Sequence, residues 1–138
     1  MAQLTDFVTD EKAINEGMWI RVNPALYDDL DIFSRGFTDE FVDAQAARLR
    51  KARIDGDLTE GEALPNAMQR QINAGLLRDY LVLDVRNLNG PDGSPVSVAD
   101  FTAKLGELSY TRLARACWEA ASRVTARTAK ANADAVGN

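Results

Sequence analysis

Residues 76–101 constrain this chain more than any other stretch. Leu76-Leu77-Arg78-Asp79-Tyr80-Leu81-Val82-Leu83-Asp84-Val85-Arg86-Asn87-Leu88 is largely apolar, and it stops at Asn89-Gly90. Pro91-Asp92-Gly93-Ser94-Pro95-Val96 follows, then Ser97-Val98-Ala99-Asp100-Phe101. The middle piece cannot continue a helix. Gly90 suits a left-handed cap, Pro91 lacks the N–H of a helix interior, and Asp92-Gly93 suits a tight turn. Ser97 is an N-cap candidate with Asp100 as a capping-box partner. A buried element therefore stops, turns sharply through polar residues and restarts as a helix.

The run before the turn reads as a helix. From Met68, the residues Ile72, Leu76, Tyr80 and Leu83 share one face, and Leu77, Leu81, Val85 and Leu88 lie on the other side. A helix apolar on both sides is central and covered all round. Its predicted span runs from Pro65, which fits a first turn, to Leu88. A strand over Tyr80–Val85 competes, because Tyr, Val and Leu crowd there; the unbroken length favours helix.

Elsewhere the periods are shorter. Met18, Ile20 and Val22 alternate with Trp19 and Arg21, and Leu30 and Ile32 alternate with Asp31, Phe33 and Arg35. An antiparallel pair is the simplest reading, and two strands need helices to lean on. Thr38 caps a predicted helix to about Ile54, with Asp39 and Glu40 in its first turn and Gly56 past its end. Residues 55–64 form a polar link. Ser97 opens a short helix to about Leu105, Gly106 interrupts it, and Ser109 caps a last helix to about Lys130. The expected fold is mainly α, with about four helices and a small N-terminal β-hairpin. It forms a single domain over residues 1–138, with 1–15 and 131–138 as loose ends.

Composition removes several kinds of chemistry. With no histidine, Ser-His-Asp and Cys-His nucleophilic sites and histidine-based zinc sites are excluded. The one cysteine, Cys117, forbids an internal disulfide and sits on an apolar helix face, where a packed small hydrophobe is the natural reading. No stretch approaches the length of a membrane span, and the N-terminus lacks the features of a signal peptide, so an intracellular protein is expected. Asp28-Asp29-x-Asp31 and Asp55-Gly56-Asp57 lack the pattern of a calcium loop and read as turns. Residues 89–93 lack the glycine-lysine pattern of a phosphate loop. Carboxylate- or lysine-based chemistry stays open in principle, but no catalytic residue, metal ligand or cofactor is expected, and the chain reads as a non-enzyme.

Two features point to partners. Net charge is −5, but residues 102–138 hold 6 basic and 3 acidic residues, against 10 and 18 in residues 1–101. On the last helix Arg112, Arg115, Glu119, Arg123, Arg127 and Lys130 fall in one stripe. The stripe is either a solvated face or a docking stripe for an acidic or helical partner, including an acidic part of another copy. Nucleic acid is disfavoured by the acidic chain and the lack of an aromatic platform beside the stripe. Trp19, Phe33 and Phe37 are the second feature. Either one face of a two-stranded unit stays partly open, Met18/Ile20/Val22 or Trp19/Phe33, and an open aromatic face would be a partner site, or the hairpin is sandwiched between helices or forms a self-association surface.

The order apolar run, Asp84, Asn87-Leu88, then Asp92-Gly93-x-Pro95-Val96 and an N-capped helix with Phe101 resembles the tail assembly chaperones of long-tailed bacteriophages. Glu16-Gly17-Met18-Trp19-Ile20-Arg21-Val22 and Asp31-Ile32-Phe33-Ser34-Arg35-Gly36-Phe37 are also similar to such proteins. Together these pieces span most of residues 16–101. An aromatic residue commonly follows the acidic residue in that family, and here the position is Val85. The resemblance implies transient binding of tail tube subunits and of the tape measure protein in the host cytoplasm. It also implies absence from the mature virion and possible homo-oligomers. The alternative is a permanent virion component such as a head–tail connector or tail-completion protein.

Overall fold

A computed structural model describes residues 1–137. In chain order the elements are α1 (Glu11–Glu16), β1 (Met18–Arg21), α2 (Pro24–Tyr27), β2 (Asp31–Ser34) and α3 (Asp39–Asp55). Then come α4 (Asn66–Leu76), β3 (Val82–Arg86), α5 (Val98–Lys104), α6 (Thr111–Ala126) and α7 (Ala129–Gly137). The protein is mainly helical, at 59%, with seven α-helices and a three-stranded antiparallel sheet among the described residues. The expectation of about four helices and a hairpin was too low on both counts.

The alternation around residues 18–34 does form the expected pair. Trp19 lies opposite Phe33 and Ile20 opposite Ile32. The third strand comes from the run read as a helix. α4 stops at Leu76, a π-helical turn covers Leu77–Leu81, and β3 then pairs with β2. The Val82 N–H donates to the Leu77 carbonyl, the wide spacing of a π turn. Leu76 at the end of α4 and Leu77 and Leu81 of this turn are all fully buried. The competing strand reading was therefore the better one over 82–86. Pairing with β2 supplies hydrogen bonds that local periodicity does not reveal.

Helix ends follow cap chemistry where the cap is a side chain. The Phe41 N–H donates to Thr38 Oγ1 at 3.1 Å, and the Asp100 N–H donates to Ser97 Oγ at 3.1 Å. Ser109 does not cap α6. It lies in a 3₁₀ turn, Leu108–Tyr110, that runs into the helix, and Tyr110 takes the cap position without a side-chain bond. α6 also ends earlier than expected, at Ala126, because Arg127 is extended with ψ 133°. Gly90 is not left-handed. Asn87 (φ 64°) and Gly93 (φ 82°) take the positive-φ positions of that region.

Within the expected loose ends, residues 8–10 and Asn132 are tied into the fold. A bridge joins Thr9 to Thr128, with the Asp10 N–H on the Arg127 carbonyl at 3.1 Å and the Ala129 N–H on the Val8 carbonyl at 2.9 Å. Asn132 on α7 donates to Asp10 Oδ2 at 2.7 Å. That bond leads the contributions holding the Asp10 carboxyl below its ordinary range, followed by the backbone bond from Ala13.

The buried apolar residues form one cluster. Ile20, Val22, Ile32, Val82 and Val85 supply the inner face of the sheet, facing Ala116, Cys117, Ala120, Ala121 and Val124 of α6, with Phe101 and Leu105 from the α5 region. Each fully buried large side chain contributes about 1.5–3 kcal/mol relative to exposure. The alanines of α6 let that helix approach the sheet closely.

Candidate protein-binding surface

The strand alternation decides which face stays open. Ile20 and Val22 are buried, whereas Trp19 and Phe33 are half-buried on the opposite face. Their rings meet edge to face, with centroids 5.2 Å apart at 73°. β3 adds to this face through a bulge. Ser34 pairs with Val82 but Phe33 pairs with Asp84, so Leu83 is the extra residue. Val82 stays buried, and Leu83 and Asp84 both fall to the open side. Leu83 is among the exposed large hydrophobics. Gly17 completes the strip: a Cβ there would lie 2.7 Å from Phe33 Cε1 and 3.1 Å from Leu83 Cδ1. Trp19, Phe33 and Leu83 thus form a continuous apolar strip across three strands.

A charged row runs beside it. Arg21, Asp31 and Arg86 are cross-strand partners. Arg21 Nε donates to Asp31 Oδ1 at 2.7 Å, and Arg86 Nε donates to Asp31 Oδ2 at 2.8 Å. The Asp31 side chain is 4% exposed, and the two arginine side chains are 51% and 52% exposed. Asp31 is therefore no solvated turn residue, as the Asp28-Asp29-x-Asp31 reading had it. The Arg21 hydrogen bond first, and the Arg86 bond with it, hold its carboxyl below the ordinary range against the effect of burial. The Arg86 guanidinium also sits 4.1 Å from the centroid of the Trp19 ring. The row fixes the arginines and thereby the indole.

Asn87, Leu88, Asp92, Gly93, Pro95 and Val96 build the turn after β3. Asn87 Nδ2 donates to the Asp29 carbonyl at 3.0 Å, tying the end of β3 to the turn before β2. Asn89 bridges Pro95, the Val96 N–H donates to the Leu88 carbonyl, and the Gly90 N–H donates to the Ser94 carbonyl. Asp92 closes the tip by accepting from the Ser94 N–H at 3.0 Å and from its hydroxyl at 3.1 Å. These residues shape a small hairpin. Asp84 lies apart from it, on the open sheet face, with Oδ1 accepting from the Val85 N–H.

The remaining sequence candidates separate. Phe37 is not on the open face: its ring stacks on Phe41 at 5.3 Å and lies 6.3 Å from Trp118. The arginine stripe is largely spent inside the molecule. Arg112 donates to the Leu26 carbonyl at 3.1 Å and lies over the Tyr27 ring, and Arg123 donates to the Arg21 carbonyl at 2.6 Å. Arg127 lies beyond the end of α6, with its Nε buried, so the break in the helix removes it from the stripe. Arg115 makes no hydrogen bond or ion pair among the described residues. Leu83, Gly17 and Arg86 were missed as parts of this surface, and Asp31 as the buried acceptor between the two arginines. The alternation of β1 and β2 predicted the aromatic pair, but no local signal marks a bulge in a strand whose partner is fifty residues away.

Burial pushes the Cys117 thiol up to about 12, which leaves it protonated and unreactive near neutral pH. Among the described residues no group of three or more acidic or cysteine side chains could hold a metal ion. No helix among them is long and apolar enough to cross a membrane. No family model, curated protein or solved structure matches this chain.

Proposed function

We propose that this protein is a non-catalytic binding protein that covers apolar surface on unassembled partners, and that it acts as a phage tail assembly chaperone. The observation that carries the binding role is the open strip of Trp19, Phe33 and Leu83 beside the Arg21–Asp31–Arg86 row. Half-exposed aromatic residues on a rigid sheet suit an interface core, and the paired charges beside them suit an orienting rim. The strip lies on β1, β2 and β3. The more specific identity rests on the resemblance carried by residues 16–37 and 84–101. Its partners are the tail tube subunit and the tape measure protein, met in the host cytoplasm before assembly.

Co-purification with the tube and tape measure proteins of the same genome tests this reading, with purified virions assayed in parallel. Capture before assembly and absence from virions is the expected result. Stoichiometric retention in virions would favour a connector or tail-completion protein instead. Failure to capture either protein would remove the chaperone assignment.

A further inference from the structure

A second surface differs from the sheet face in chemistry. An open groove of about 270 Å³ runs between α4 and α6. Asn66, Gln69, Arg70 and Asn73 recur at helical spacing and line it from α4, while Arg115 and Trp118 line it from α6. Buried Leu105 and Ala74 add apolar lining. Two guanidiniums and three carboxamides face this groove, and no carboxylate lines it. In a chain of net charge −5 that is a marked local reversal.

The donors are only partly used. Arg70 spends Nε on the Gly106 carbonyl at 3.2 Å, which orients the side chain and leaves its terminal nitrogens available. Gln69 donates to Asn73 Oδ1 at 3.2 Å, so the Asn73 amide nitrogen is left to donate outward. Arg115 has no hydrogen bond or ion pair among the described residues, unlike Arg112 and Arg123 on the same helix. Its helical neighbour Glu119 is turned to the Asn23 N–H at 3.4 Å. Trp118 is held in place from behind by Phe37 and Phe41.

We propose that this groove binds an acidic peptide segment of a partner protein. Carboxylates of the segment pair with Arg70 and Arg115, and its apolar side chains lie against Trp118 and Ala114. Arginine forks suit carboxylates, and a groove between two helices suits a short helical or extended segment. A long polyanion such as nucleic acid fits less well, because the surrounding negative charge opposes it and one indole is no stacking platform. The inference does not depend on the chaperone assignment.

The test is a titration of the full-length, ¹⁵N-labelled chain with a short acetylated peptide of leucine and glutamate. The same peptide with lysine for glutamate serves as control. The expected result is a set of shifts confined to α4, α6 and the Trp118 indole, with a Kd of roughly 10–1000 μM. Arg115→Glu should weaken binding about tenfold or more, the value of one charge-assisted pair. That variant removes no internal bond, so an unchanged melting curve separates lost binding from lost folding. No shift, shifts scattered elsewhere, equal response to the lysine peptide, or insensitivity to Arg115→Glu would each overturn the proposal. Displacement of the peptide by oligothymidylate at lower concentration would overturn it in favour of nucleic acid. A dimer in sedimentation that Arg115→Glu disperses, with no peptide binding, would overturn it in favour of a second copy. Failure to capture phage tail proteins leaves this result untouched, since the readout uses only the isolated chain and the peptide.

Discussion

Asp31 shows how one buried charge organises a surface. It is the shared acceptor of two arginines from neighbouring strands, and its carboxyl is held below the ordinary value of 3.8. A folded pKa below the unfolded one means stability that is fully present above the unfolded value and lost as pH falls through the folded value. Asp31→Asn should cost roughly 1.5–3 kcal/mol at neutral pH, the range for bonds to charged groups. Urea denaturation across a pH series should show the gap between parent and variant closing below pH 3.8. A gap that stayed constant into acid would mean that the ion pairs add nothing. Gly17 makes a second prediction at this scale. Its φ is +95° and a Cβ would meet Phe33 at 2.7 Å. Gly17→Ala should therefore lose roughly 1–3 kcal/mol, from backbone strain and from the displaced ring. A thermal melt matching the parent would sink that account.

At the scale of elements, cap positions and strand register make opposite demands on similar residues. Thr38 and Ser97 each accept a backbone N–H at the start of a helix, and Ser109 does not. Thr38→Ala and Ser97→Ala should each cost about 1 kcal/mol. Ser109→Ala should stay within about 0.5 kcal/mol, as an exposed residue without a cap bond. Chemical denaturation of the three variants checks the order, and an equal loss at Ser109 would restore it as the cap. The bulge in β3 separates Val82 from Leu83 in the same way. Val82→Asp should abolish cooperative unfolding, whereas Leu83→Asp should leave it, because only the first places a charge in the core. The period of the sequence is blind to this contrast. A π turn followed by a bulge shifts the apolar pattern twice within eight residues, so neither a helical nor a strand template fits the whole run.

For the whole molecule, the prediction concerns which face carries binding. Trp19→Ser with Leu83→Ser should reduce capture of the proposed partner, tail tube or tape measure protein, at least tenfold, consistent with an interface centred on an aromatic anchor. Circular dichroism should show the fold retained, since both side chains stand on the open side of the sheet. Capture that survives the double variant would move the interface elsewhere. The arginine stripe illustrates why the surface was only partly legible. Helical geometry places the arginines on one side of α6, and that much is a property of the sequence. Whether a guanidinium is free depends on what lies opposite, and for Arg112 and Arg123 this is the backbone of residues 26 and 21.

The sequence by itself determined the helix starts at Thr38 and Ser97, the placing of Trp19 and Phe33 on one side of the strand pair, the turn at residues 89–96 and the exclusion of histidine chemistry. Each follows from side chains acting on backbone within a few residues, or from composition. Only the tertiary structure decided that 82–86 is a strand, that the sheet has three strands, and that Asp10 near the start of the chain is tied to Asn132 of α7. Those outcomes depend on hydrogen bonds and burial between segments far apart in the chain. A backbone with two acceptable local conformations takes the one that a distant partner completes.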